Sequence, residues 1–322
     1  MRALVVSNMK PDEARPELGR FVRDQVAALR QLDDLEVELF EFSPGPRALA
    51  RATVELRRLH GGPSTLSRRP TGPGWDIVHS HFGLSAWPAL AVPARVRALT
   101  VHGKDVFHPR TRLATSAVVP FIDLLAAVSS SLAQHIPGRR ARARTEVLPC
   151  GIDLERFTPI ERARARAELG LDPVRPYLLF VSHPSRADKR HDLALALARE
   201  VGVELLTLGH TDPALVPLWI NAANAVLVPS DREGFGLAAL EALACDVPVL
   251  ATPVGIAPDA LRGVEGALCA PFDLAVWSAA LEPHLRATES RVDGRVAVER
   301  FSAAAMAERV RDAWVRALER SG

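Results

Sequence analysis

Short, nearly unbroken apolar runs alternate with longer helix-like stretches along most of this chain, and that alternation constrains its fold more than any other feature. In the first half the runs are Ala3–Ser7, Val37–Phe42, Ile77–His79, Leu99–Val101, Leu124–Val128 and Glu146–Leu148. In the second half they are Tyr177–Val181, Glu204–Leu208, Ala225–Val228, Val247–Ala251 and Ala267–Cys269. Strands that are apolar on both sides must be covered on both sides, which parallel sheets with crossover helices provide. Between the first two runs, Phe21, Val22, Val26 and Leu29 recur at helical spacing. The chain has 322 residues, and a domain averages roughly 150. The expectation is therefore an α/β protein with two doubly wound, parallel-sheet domains.

The junction is expected within residues 149–173, where Cys-Gly-Ile-Asp precedes a helix from Pro159 to Leu169 that Gly170 ends. Ser302–Leu318 reads as a last helix with a serine cap and one stripe of Met306, Val310, Trp314 and Leu318. The second sheet is already complete by then, so this helix is expected to pack back on the first domain. The expected divisions are 1–155, 156–301 and 302–322.

Several classes are disfavoured. A net charge of +2 does not mark a nucleic-acid binder. The widely spaced Cys150, Cys245 and Cys269 form neither a disulfide framework nor a zinc-ligand pattern. No apolar run reaches the ~18 residues that span a bilayer, and the start of the chain looks like a strand rather than an export signal, so a cytoplasmic protein is expected. The first strand–helix turn, Ser7 to Gly19, lacks the G-x-G-x-x-G fingerprint. No phosphate-loop or nucleophile-elbow motif occurs either, which weighs against dehydrogenases, P-loop ATPases and α/β-hydrolases. The arginines at 139, 140, 142 and 144, with Arg68 and Arg69, read as a solvated face or as a contact for an anionic membrane surface at the inner face of the membrane.

The most informative segment is LVPSDREGFGLAALE, Leu227–Glu241. A strand ends, a turn follows, and Gly236 opens a helix whose first N–H groups lack intrahelical partners. Together with the helix dipole they make an anion site, and phosphate is the usual anion. Glu233 before this helix and Glu241 inside it are placed to take hydroxyls on either side of a diphosphate, which suits a nucleotide sugar. The loop after Tyr177–Val181 carries Arg186, Lys189 and Arg190, cations that could neutralise and stabilise a leaving diphosphate. Of 40 Lys and Arg residues only Lys10, Lys104 and Lys189 are lysine. In LTVHGKDVF, Leu99–Phe107, His102 and Gly103 follow a strand end; in IVHSHFG, Ile77–Gly83, His79 and His81 do the same. His-x-His suggests a metal, yet no third ligand is nearby and alternate residues on a strand merely share a face.

In order along the chain, Gly19, IVHSHFG, LTVHGKDV, VLPCGIDLERF, RADKRHDLAL and EGFGLAALE resemble the retaining glycosyltransferases of family 4, across nearly the whole length. The resemblance implies the GT-B fold, two facing Rossmann-like domains with a C-terminal helix crossing back to the first. It places an acceptor-binding domain first and a nucleotide-sugar donor-binding domain second. It also implies catalytic roles for His102 and Glu233, and donor binding by Gly19, Arg186, Lys189, Gly234, Phe235, Gly236, Leu237 and Glu241. His81, Gly103 and Asp105 would lie on the acceptor side. The chain departs from the family pattern in having only Gly19 in a first turn that often has two glycines, His183-Pro184 at the position of a usual arginine, which Arg186 would replace, Lys189-Arg190 for a usual Lys-Gly, and Cys150-Gly151 for a usual Asn-Gly.

The expected activity is metal-independent, retaining transfer from a nucleotide diphosphate sugar to an acceptor hydroxyl, with no resident cofactor and no Asp-x-Asp motif. Polysaccharide, lipid-linked glycan or small-molecule acceptors all remain open. The alternatives are a GT-B epimerase or phosphorylase, and a two-lobed sugar-binding protein without chemistry.

Overall fold

The computed structural model describes residues 1–13, 15, 18–61, 74–209, 211–287 and 289–321; Arg68 and Arg69 lie outside them. The chain forms two compact units, Met1–Gly151 with Ala303–Gly322, and Ile152–Ser302.

The sheet of the first unit contains β1 (Arg2–Ser7), β2 (Glu36–Glu41), β3 (Trp75–His81), β4 (Ala94–Val101), β5 (Leu124–Ala127) and β6 (Glu146–Val147). All pairings are parallel, in the order β2-β1-β3-β4-β5-β6. Successive residues of β1 point to opposite faces, and both faces are buried. Val5 joins Ile77, Val96 and Leu124 under Val22, Val26 and Leu29 of the Arg20–Leu29 helix. Leu4 and Val6 turn the other way, toward Leu56 of the Pro46–His60 helix. The long Ala303–Ser321 helix completes the first face with Met306, Val310 and Trp314.

The second unit contains β7 (Tyr177–Phe180), β8 (Glu204–Thr207), β9 (Ala225–Val228), β10 (Val249–Ala251) and β11 (Leu268–Cys269), parallel in the order β11-β10-β9-β7-β8. Leu178, Phe180, Leu227 and Leu250 pack against Leu197, Trp277 and Leu281.

In both sheets the order reverses at one place. The chain leaves β1 for β2 on one side and returns to β3 on the other; β7 stands in the same way between β8 and β9. Crevices at such points, beyond the carboxyl ends of the strands, are where open α/β sheets bind ligands.

Three details differ from the sequence expectation. Strand β4 begins at Ala94 rather than Leu99, because Arg95 and Arg97 alternate with the buried Ala94 and Val96. Arg95 also reaches Asp76, at 3.3 Å. The helix expected from Pro159 begins at Arg162, since the Ile160 amide donates instead to Asn221 Oδ1 at 2.8 Å. The units part after Gly151, ahead of residue 155. Ile152 N–H donates to the Phe301 carbonyl at 2.8 Å, and the Arg295 guanidinium donates to the carbonyls of Leu154 and Phe157, which ties residues 152–157 into the second unit. Among the described residues no helix is long and apolar enough to cross a membrane. Within the arginine cluster, Arg142 and Arg144 donate to the carbonyls of Ile136, Ile122 and Val119.

Candidate functional site

The reversal point of the second sheet gathers an ion pair from two loops. After β7 the chain runs through a single turn, Ala187–Lys189, and Arg190 takes a left-handed conformation (φ 55°) before the His191–Glu200 helix. After β9 it runs through Ser230 and Glu233 to the Leu237–Ala244 helix, capped by Gly236 at φ 96°. The Asp231 N–H donates to the Asp188 carbonyl at 3.0 Å, and the Arg190 guanidinium reaches Asp231 at 3.0 Å, so the loops are fastened to each other.

Across this join the Lys189 ammonium contacts Glu233 Oε2, and the two side chains are only 10% and 12% exposed. Ser230, itself buried, donates its hydroxyl to Glu233 Oε1 at 2.8 Å. Both carboxylate oxygens are thus committed, one to a cation and one to a hydroxyl. Thr252 Oγ1 fixes the Ser230 carbonyl at 2.5 Å. Gly255 (φ 59°) lies so close that an added Cβ would collide with the Phe235 carbonyl oxygen and stand 2.7 Å from Glu233 Cβ.

The structure therefore brings Lys189 and Glu233 together beside the start of the Leu237 helix, an end at which the helix dipole favours an anion. Gly234, Phe235, Gly236 and Leu237 form the approach, with the Phe235 ring buried and the other three partly exposed. Glu241 sits in the second turn of that helix, partly buried. Arg186 is not drawn into the pair; its side chain is 50% exposed and pairs with Asp188 at 3.1 Å.

The reversal point of the first sheet gathers imidazoles instead. His79 and His81 end β3 on one face, with rings stacked at 4.8 Å. His81 Nδ1 lies 2.9 Å from Nε2 of His102, which follows β4. His79 Nε2 meets Thr100 Oγ1 at 2.8 Å, and its Nδ1 accepts from Trp314 Nε1 at 3.2 Å. Phe21 and Phe82 flank the His102 ring, at 4.8 and 4.6 Å, and leave the residue only partly buried at its surface while the ring is desolvated by its neighbours. Phe82 holds a positive φ of 73°, an uncommon conformation for a bulky residue.

Gly19 caps the Arg20–Leu29 helix at φ 71°, where a Cβ would strike the Met9 carbonyl. Gly103 is buried at φ 120°. The buried Asp105 carboxylate turns inward and accepts the amides of His102 and Gly103, at 3.0 and 2.8 Å, so it shapes the turn that carries His102.

Burial keeps this cluster neutral. His79 and His102 are lowered to about 3 and His81 well below its ordinary value, in each case chiefly because burial disfavours the charged ring. Burial also raises Asp105 to about 6 against the pull of the amides it accepts. Among the described residues no three His, Cys, Asp or Glu side chains converge as a metal-ligand group.

The buried Gln25 also joins the first-unit cluster, its amide nitrogen 3.5 Å from His81 Nε2; it, Phe21, Phe82, Ser230 and Gly255 stand outside the site residues expected from the sequence. Only Ser230, three residues before Glu233 in the same turn, carried a local signal.

Residues 18–156 match the family described as Glycosyltransferase Family 4, and residues 165–301 that described as Glycosyl transferases group 1. A D-inositol 3-phosphate glycosyltransferase of Mycobacterium sp. (strain KMS) is 33% identical over 321 residues, covering 83% of this chain and 69% of its own. This chain belongs to glycosyltransferase family 4. A protein of the same name from Actinosynnema mirum is 35% identical over 266 residues, covering 64% of this chain and 63% of its own. The crystal structure of Anabaena HepE in complex with UDP and glucose aligns with a TM-score of 0.67 at 17% identity, covering 98% of this chain and 99% of that one. The family 4 fold of this chain is therefore GT-B, two parallel-sheet α/β units. The chain spans 63%, 64% and 56% of the length of three curated relatives it matches.

Proposed function

We propose that this family 4 protein transfers a sugar from a nucleotide diphosphate sugar to an acceptor hydroxyl, with retention at the anomeric carbon and without a metal ion. The observation that carries the reading is the nearly buried Lys189–Glu233 pair beside the helix start at Leu237, at the reversal point of the second sheet. A diphosphate arriving there meets fixed amides and one ammonium. Both stabilise the negative charge that develops as the bond from the anomeric carbon to the phosphate oxygen breaks. Glu233, held by Ser230, is positioned for sugar hydroxyls, and Glu241 for the ribose. The acceptor oxygen forms its bond on the face that the diphosphate leaves, and its proton passes to the departing phosphate oxygen.

On the first unit, His102, Gly103 and Gly19 are proposed to meet the substrates, with His81 and Asp105 holding His102. HepE was crystallised with UDP and glucose, so UDP-sugars are the first donors to test. Both relatives named above are inositol 3-phosphate glycosyltransferases, which makes a phosphorylated cyclitol the first acceptor to test.

Nucleotide release from a mixture of UDP-, GDP- and ADP-sugars, followed with and without acceptor, tests the proposal. Acceptor-dependent release with a sugar-bearing product is expected. A donor sugar isomerised without any acceptor would replace transfer by epimerisation, and no turnover of any donor would leave a binding protein.

A further inference from the structure

We propose that Gln25 and His81 are positioning residues that decide which nitrogen of His102 carries its proton, so that His102 offers a hydrogen-bond donor beyond the carboxyl end of β4. The consequence for transfer rests on the proposed function; the relay itself rests only on geometry within the first unit.

Gln25 and His81 are both buried, and the Gln25 amide nitrogen lies 3.5 Å from His81 Nε2. An amide NH₂ can only donate, so His81 Nε2 accepts. A neutral imidazole carries one N–H, and for His81 it must then be at Nδ1. That atom stands 2.9 Å from His102 Nε2, which accepts in its turn. The single proton of His102 is left at Nδ1, which hydrogen-bonds to nothing among the described residues.

The neighbouring ring is fixed the opposite way by different chemistry. An indole N–H can only donate, and Trp314 Nε1 points at His79 Nδ1, so His79 carries its proton at Nε2 and gives it to Thr100. His79 stacks on His81 with planes 26° apart, and Phe21 and Phe82 pack against the His102 ring. The tautomer of His102 is thus set by His81 and Gln25, and its orientation by His81 and the two phenylalanines. A ring so arranged gives a hydrogen bond to an oxygen lone pair, on a hydroxyl or a phosphate, and does not take a proton from an attacking hydroxyl. This assigns His102 a binding contact rather than the part of a general base.

The test is a long-range ¹H–¹⁵N correlation spectrum of the full chain with ¹⁵N-labelled histidine at pH 7, with His81→Asn and His102→Asn variants used for assignment. Pyrrole-type nitrogen is expected at Nδ1 of both His81 and His102. Gln25→Glu turns the first donor into an acceptor and is expected to exchange the pattern on both rings. In the same variant kcat/KM is expected to fall about tenfold, the size of one lost hydrogen bond, through a higher KM with kcat little changed. Gln25→Leu, which adds no charge, guards against a misfolded glutamate variant and is expected to give mixed tautomers. A proton on Nε2 of His102 in the unaltered protein overturns the relay, as does a folded Gln25→Glu or Gln25→Leu spectrum identical to the parent's. If the tautomers are as stated and no sugar is transferred, the relay stands and the proposed function falls.

Discussion

The two reversal points use the same backbone geometry and opposite electrostatics. In the second unit the strand ends carry a compact ion pair, Lys189 with Glu233, braced by Ser230. In the first they carry three imidazoles that burial keeps uncharged, framed by two phenylalanines. An ion pair taken out of water stays charged only where each partner is compensated, and such a site suits a ligand that carries charge of its own. Neutral rings with fixed hydrogens suit hydroxyls, which need direction more than charge. One sheet order can therefore serve a diphosphate in one unit and a polyol in the other, because the strand ends, not the strands, carry the difference.

The largest expected effect comes from breaking the ion pair. Glu233→Gln and Lys189→Ala should each lower transfer by about 10²–10³-fold or more, as for loss of a transition-state electrostatic contact, while the circular dichroism spectrum stays that of a folded protein. Full turnover by both variants would remove the ion pair from the chemistry.

Next in size is Gly255→Ala. The new Cβ meets the Phe235 carbonyl and crowds Glu233 at a positive φ, so a loss of about 1–3 kcal/mol in stability is expected, read as a lower midpoint in urea. Nucleotide binding should weaken in parallel.

The neutral cluster should appear as acid lability. His79 and His102 titrate at about 3 in the folded chain against 6.5 ordinarily, and His81 is displaced the same way. Between those values the unfolded chain binds more protons, so stability is lost as pH falls through this window. Asp105, raised from 3.8 to about 6, acts in the opposite sense over its own range, one group against three. The thermal midpoint should drop from pH 7 to pH 4, and His79→Gln should flatten the slope. A midpoint indifferent to pH would mean that the rings are not held neutral.

The smallest effect is expected at Arg186. Half exposed and paired with Asp188, it should cost no more than a few-fold in transfer on conversion to alanine, in contrast to Lys189 in the same loop.

The sheets were readable in the sequence because their strands are apolar on both faces, a pattern that survives without knowledge of partners. β4 was half hidden because Arg95 and Arg97 break its run, although their alternation with Ala94 and Val96 is itself strand periodicity. The start of the Leu237–Ala244 helix was legible from Gly236, whose left-handed backbone favours glycine. Lys189 and Glu233 could be named from their loops, but that they would meet could not, because their contact depends on β7 and β9 lying side by side. The histidine cluster was least legible. Gln25 reaches His81 across 56 residues and Trp314 reaches His79 across 235, and no local pattern announces such pairs.

The claim that the second unit grips a nucleotide diphosphate is tested most directly by the thermal midpoint of the full chain with UDP, GDP and ADP, alongside Lys189→Ala. A nucleotide at about 100 times its dissociation constant should add about 2.7 kcal/mol to folding. At least one of the three is expected to raise the midpoint of the parent, and to raise that of Lys189→Ala much less. No shift with any of them, or equal shifts in parent and variant, would contradict the account.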